Sequence, residues 1–141
     1  MTRSGGFFLA TVFILLCLLH AYWAAGGKLG RGVSIPTVGA ERLFDPSPLA
    51  TLGVALALFV AGMLVLGRIG VWGESWPRWI FRLGTLAISF MFALRAIGDF
   101  RYVGFFKSVS ETDFARWDNS LFSPLCLLIA VVAFLISLYE T

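Results

Sequence analysis

Apolar and polar positions alternate along this chain in long blocks rather than with a helical or strand period. Four runs of about 20 residues carry almost no charge: residues 6–25, 49–67, 79–98 and 121–139. At 1.5 Å of rise per residue each run reaches about 30 Å, the thickness of a bilayer core. The pattern therefore predicts four membrane-spanning helices. The second is free of charge throughout, and Pro46 and Pro48 stand where proline fits a helix start. The third carries Arg82 and Arg95 near its two ends, where long cations snorkel to the headgroups. Asp118, Asn119 and Ser120 are the expected caps of the fourth. Arg3 followed by Phe7–Leu19 also fits a signal peptide. Its removal would leave an odd number of spans and discard the sole histidine, so a first span is the preferred reading.

Four spans bring both ends to one side and place the two longer links, 26–47 and 99–120, together on the other. The expected fold is all-α: an integral membrane, antiparallel four-helix bundle, one domain over 1–141, with the two longer loops capping one face. The short link carries Trp72, Trp76 and Trp79 as interface anchors. In the first long link, Gly26, Gly27, Gly30 and Gly32 predict a mobile start and Ile35-Pro36 a turn. In the second, Ser110 and Asp113 match a capping box ahead of a short interfacial helix. Small residues at i+4 spacing, Gly53, Ala57 and Ala61 in the second span and Thr85, Ser89 and Ala93 in the third, predict that these two spans face each other.

Composition agrees with the blocks: 59% of the 141 residues are hydrophobic and 13% charged, with a mean hydropathy of +0.88, which excludes an ordinary soluble enzyme domain. The net charge of +3 comes from scattered Lys and Arg without a basic stripe, so no nucleic-acid partner is expected. Seven Lys and Arg fall on the long-loop face (Lys28, Arg31, Arg42, Arg95, Arg101, Lys107, Arg116) against four elsewhere (Arg3, Arg68, Arg78, Arg82). That count puts the long loops in the cytoplasm, by a margin that Arg95 and Arg101 decide.

Candidate chemistry is sparse. His20 lies inside the hydrocarbon edge on the long-loop face, at the depth of Arg95 and Asp99, which stand at i and i+4 and can pair on one helix side. These three are expected to form a polar mouth, with Tyr22 and Trp23 beside His20 and Arg101 and Tyr102 beyond Asp99 as further binding candidates. On this reading Asp99→Asn is the most damaging change, since it strands a buried cation. The mouth fits a lipid-like or other amphiphilic molecule, or a partner membrane protein. The alternative is a small intramembrane enzyme, with His20 as general acid or base and Arg95 as anion clamp. One histidine cannot assemble the usual zinc site, and no cofactor is expected. Cys17 and Cys126 lie at equal depth, roughly 7 to 8 Å in from the long-loop face at helical rise. A pair is allowed, but inert buried thiols are the expectation.

The strings His20-Ala-Tyr-Trp23 with Gly26-Gly27, Arg95-Ala-Ile-Gly-Asp-Phe-Arg-Tyr-Val-Gly-Phe-Phe-Lys107, Phe114-Ala-Arg-Trp-Asp118 and Ser123-Pro-Leu-Cys126 resemble a family of small bacterial four-span membrane proteins of unknown function. The resemblance covers nearly the whole chain. It implies the fold above and a multi-pass protein of the bacterial inner (plasma) membrane, surrounded by membrane lipids, and it supplies no reaction.

Overall fold

A computed structural model describes residues 2–139, with side chains from Arg3 onward; residues 1, 140 and 141 of the expected domain lie outside the described residues. Four long helices dominate: α1 (Thr2–Ala24), α3 (Pro48–Arg68), α4 (Arg78–Ile97) and α6 (Ser123–Leu138). Between them lie a single turn of helix, α2 (Arg31–Ser34), a hairpin of β1 (Thr37–Val38) and β2 (Glu41–Arg42), and α5 (Asp113–Trp117). A π turn, Asp118–Phe122, joins α5 to α6, so the last helical stretch runs unbroken from Asp113 to Leu138. All four long stretches are apolar and long enough to cross a membrane, as in a multi-pass membrane protein.

Helix α3 starts where local chemistry dictates. Ser47 is extended, its hydroxyl accepts the Ala50 N–H at 3.1 Å, and Pro48 occupies the first turn, where its missing N–H costs nothing. At the other end of the bundle Arg68 is buried and donates to the carbonyls of Ser137 and Tyr139, placing a cation at the C-terminus of α6.

Helix α1 packs chiefly on α3, and α4 on α6; the two pairs meet along α3–α4 and α1–α6. In lipid such contacts rest on close fit rather than on water exclusion. The buried cluster takes Leu9 and Phe13 from α1, Leu58 and Val65 from α3, Ile88 from α4, and Ile129, Ala133 and Ile136 from α6. Phe13 and Phe92 pack ring to ring at 5.6 Å across the α1–α4 gap.

The small-residue ridges are not mutual partners. Gly53 and Ala57 face outward, with open space beside Gly53. The close approaches on α3 occur at Gly62, where an added Cβ would stand 3.5 Å from the Phe13 Cβ, and at Gly67, where it would enter the Phe81 ring of α4. Ser89 instead faces α6 and donates to the Ala130 carbonyl at 2.8 Å, a buried cross-helix bond. Interhelical bonds of this kind contribute about 0.6 kcal/mol on average.

The two long links cover one end, and α2 packs against α5 there. The glycine run after α1 forms a hydrogen-bonded turn. Gly27 N–H donates to the Tyr22 carbonyl at 2.9 Å, Trp23 Nε1 donates to the Leu29 carbonyl at 2.7 Å, and a Cβ on Gly27 would enter the Tyr22 ring. The hairpin pairs Thr37 with Arg42 and Val38 with Glu41, and the Leu43 N–H closes on the Pro36 carbonyl at 2.8 Å. Strands of two residues are too short to show an alternating pattern, and the sequence reading contains none.

Candidate functional site: a capped cavity and a buried charge triad

Beneath this cap lies a cavity of about 470 Å³ between the two helix pairs. Leu16, Leu19, His20 and Trp23 of α1 line one side, with Ala50, Thr51, Val54 and Leu58 of α3. Phe92 and Arg95 of α4, and Leu125, Cys126 and Ile129 of α6, line the other. Arg31, Ser34, Ile35, Phe44 and Pro46 of the first long link roof it, and Phe122 of the π turn joins the wall. Leu58 and Ile129 belong to the core cluster as well, so the cavity floor is the top of the packed core. The size falls in the range of small-molecule sites, and a mostly apolar wall with a few converging polar groups is their usual composition.

His20 is held in one tautomer. Its Nδ1 lies 2.8 Å from the Leu16 carbonyl. A carbonyl only accepts, so the proton sits on Nδ1 and Nε2 is left for a second partner. The imidazole also packs edge-on against Trp23, with ring centroids 5.0 Å apart.

Arg95 does not pair with Asp99. Its Nη2 donates to Asp118 Oδ1 at 2.8 Å, and Asp118 is fully buried. The second Asp118 oxygen accepts from the Lys107 ammonium at 2.9 Å and from the Gly104 N–H at 2.9 Å. Lys107, with 2% of its side chain exposed, also donates to the Gly104 carbonyl and to Asn119 Oδ1. One carboxylate thus holds two cations and a loop backbone.

The π turn makes this possible. The Ser123 N–H donates to the Asp118 carbonyl five residues back, and the extra residue in that turn carries Asp118 inside the helix packing rather than at a solvent-facing cap. The true N-cap is Thr112, whose hydroxyl accepts the Ala115 N–H at 3.1 Å. Asp118 is therefore not a cap, and the capping box expected at Ser110 is replaced by this cap.

Asp99 is exposed and organises its own loop: its Oδ1 accepts the N–H groups of Arg101, Tyr102 and Val103 at 2.9, 2.7 and 3.0 Å. Slight burial works upward on its pKa, and the backbone donors outweigh it, holding the carboxyl below its ordinary range. A folded-state pKa below the unfolded value contributes stability that is present above about pH 4 and lost as the pH falls through the folded value. The melting-temperature gap between the unaltered chain and Asp99→Asn should therefore be small and constant from pH 5 to 7 and close below about pH 4. A gap that widens on acidification contradicts this role.

Of the seven residues singled out by sequence, the cavity gathers His20, Trp23 and Arg95. Tyr22 is 46% exposed and accepts from the Leu29 N–H outside the cavity. Asp99, Arg101 and Tyr102 lie in the loop, where the Arg101 guanidinium sits 5.2 Å from the centre of the Tyr102 ring. Sequence reasoning missed Asp118 and Lys107 as Arg95's companions. Their signal was present: Arg95 and Lys107 begin and end one quoted string, and Asp118 ends another. Cys17 and Cys126 are free; Cys17 packs against the core, while Cys126 faces the cavity.

Among comparisons with known proteins, no curated protein and no solved structure matches the chain. One family model, described as Protein of unknown function (DUF3995), matches residues 13–133. That match takes in both cavity walls, the cap and the charge triad, and the chain belongs to this family of proteins of unknown function.

Proposed function

We propose that this protein is a single-domain component of the bacterial inner membrane that binds an amphiphilic molecule, apolar body in the cavity and polar head at His20 and Arg95. The observation that carries the reading is the capped cavity itself: about 470 Å³ of mostly apolar space with an imidazole and a guanidinium on its wall. The helical spans and the resemblance to bacterial four-span proteins support the location.

The test is purification in a mild detergent followed by mass spectrometry of whatever remains bound. The unaltered chain should retain an amphiphile, and His20→Phe should melt within a few degrees of it while retaining at least fivefold less. Ala50→Phe, which fills the cavity from α3, should empty it. An identical bound molecule at identical occupancy in Ala50→Phe would sink the reading, as would a protein partner in place of any small molecule.

The Nδ1 bond of His20 favours one second reading, a small intramembrane enzyme. A histidine whose Nδ1–H is fixed by a carbonyl presents Nε2 in the form a general base requires, and Arg95 would then clamp an anionic group. Turnover of the retained molecule, abolished in His20→Phe with binding preserved, distinguishes this from simple binding.

A further inference from the structure

Resting on the reading above, the charge balance around the cavity defines its ligand further. Arg95, Lys107 and Asp118 carry two positive charges against one negative, and Lys107 and Asp118 are closed off from solvent. The neighbouring Arg31 is already bridged to Asp45 at 3.3 Å, and Asp45 is shared with Arg42 at 3.4 Å. Among the described residues that line the cavity there is no carboxylate. Arg95 spends Nη2 on Asp118, while its Nη1 is buried with no hydrogen-bond partner in the protein. A surplus cation in a low-dielectric site is costly unless an anion meets it.

We infer that the ligand is an anionic amphiphile whose head is met by the Arg95 guanidinium, which lines the cavity with 33% of its side chain exposed. The sign follows from the surplus of cations: Arg95 and Lys107 share Asp118, and Arg31 and Arg42 share Asp45. A guanidinium with one N–H committed to Asp118 keeps further N–H groups for a carboxylate or phosphate oxygen. The head chemistry shared by a fatty carboxylate and a phosphodiester lipid, an anionic oxygen that accepts a hydrogen bond, satisfies this condition.

Cys126 lies on the cavity wall and reports occupancy. In a Cys17→Ala background, its alkylation by N-ethylmaleimide would be followed in neutral detergent with four single-chain probes: dodecanoate, lauroyl lysophosphatidylglycerol, dodecanol and dodecyltrimethylammonium. Protection by either anion at a concentration at least tenfold below that needed for dodecanol, with the cation weakest, is the expected result. Protection by dodecanoate alone identifies a carboxylate head, and by the lysolipid alone a phosphodiester. Equal protection by dodecanol and the anions overturns the charge assignment and leaves the cavity reading standing; protection by none of the four overturns both. Arg95→Gln should erase the anion advantage without weakening dodecanol. Loss of that advantage in Arg31→Gln but not in Arg95→Gln would overturn the assignment to Arg95. Should Arg95→Gln fail to assemble, the four-probe series in the Cys17→Ala chain still decides.

Discussion

Asp118→Asn should be the most damaging single charge change in the chain, lowering stability by about 3–5 kcal/mol, the usual consequence of removing one partner from a buried ion pair. The side chain is fully buried and meets Arg95, Lys107 and the Gly104 N–H together. An asparagine keeps the shape and one acceptor oxygen. It removes the charge that two cations share, and its NH2 group then faces either the Lys107 ammonium or the Arg95 guanidinium, donor against donor. Thermal unfolding in detergent reads the loss. Adding Lys107→Met should recover part of it, because the cation in greatest need of compensation is gone and its apolar stem is kept. Asp99→Asn should cost far less, since an amide oxygen still accepts from the turn's N–H groups. If Asp99→Asn proves the worse of the two, the ion triad is not what holds the loop.

That ordering reverses the one read from sequence, for a physical reason. The i,i+4 rule sees only neighbours on one helix, and it placed Asp99 beside Arg95. Helix α4 ends at Ile97, and Gly98, at φ 87°, turns the chain away before Asp99. Arg95 thus looks for a partner 23 positions on. Charged residues at that separation meet only through the path of the loop, which no periodicity records. The spans were a different matter. Uncharged runs as long as a bilayer core constrain the fold through solvent alone, so the four long helices and the loop cap are written in the blocks of apolar residues. The start of the last helix was misplaced because Asp118, Asn119 and Ser120 have the composition of a cap. The π turn continues the helix through them, and the true cap, Thr112, hides in a polar loop. The partners of the small-residue ridges were also beyond reach. Spacing tells which side of a helix is smooth, and only the assembled bundle tells which neighbour lies against it; Ser89 donates to Ala130 of α6.

Gly98→Ala should unlock the second long link, with a loss of at least about 3 kcal/mol, because two costs fall on the same residue. The first is conformational: Gly98 has φ 87° and ψ −167°, a region essentially reserved for glycine and worth roughly 1–3 kcal/mol against any other residue. The second is steric. An added Cβ would collide with the carbonyl of Val103, backbone that cannot swing aside like a flexible side chain. That carbonyl accepts the Asp99 N–H, and the adjoining Phe105 N–H donates to the Ala96 carbonyl at 2.8 Å, so moving it opens the ladder that folds the loop back on α4. Gly104 lies across from Gly98, and its own Cβ would meet the Ile97 carbonyl. Displacing Gly104 withdraws the N–H that Asp118 accepts and the carbonyl that Lys107 donates to. Two controls separate the costs. Gly26 has φ 97° with nothing within 4 Å of an added Cβ, so Gly26→Ala should show the conformational cost alone. Gly53→Ala, in the second turn of α3 with open space around it, should be neutral or stabilising by up to about 1 kcal/mol through helix propensity. The expected order of melting temperatures is therefore Gly53→Ala at or above the unaltered chain, then Gly26→Ala, then Gly98→Ala far below. The lowest variant should also expose Cys126 to alkylation, because the loop it disturbs holds the triad that fixes Arg95 on the cavity wall, and α5 beyond it packs against α2 of the roof. A Gly98→Ala chain that melts with Gly26→Ala would show that the loop slides to accept the methyl and that the triad does not depend on its fit.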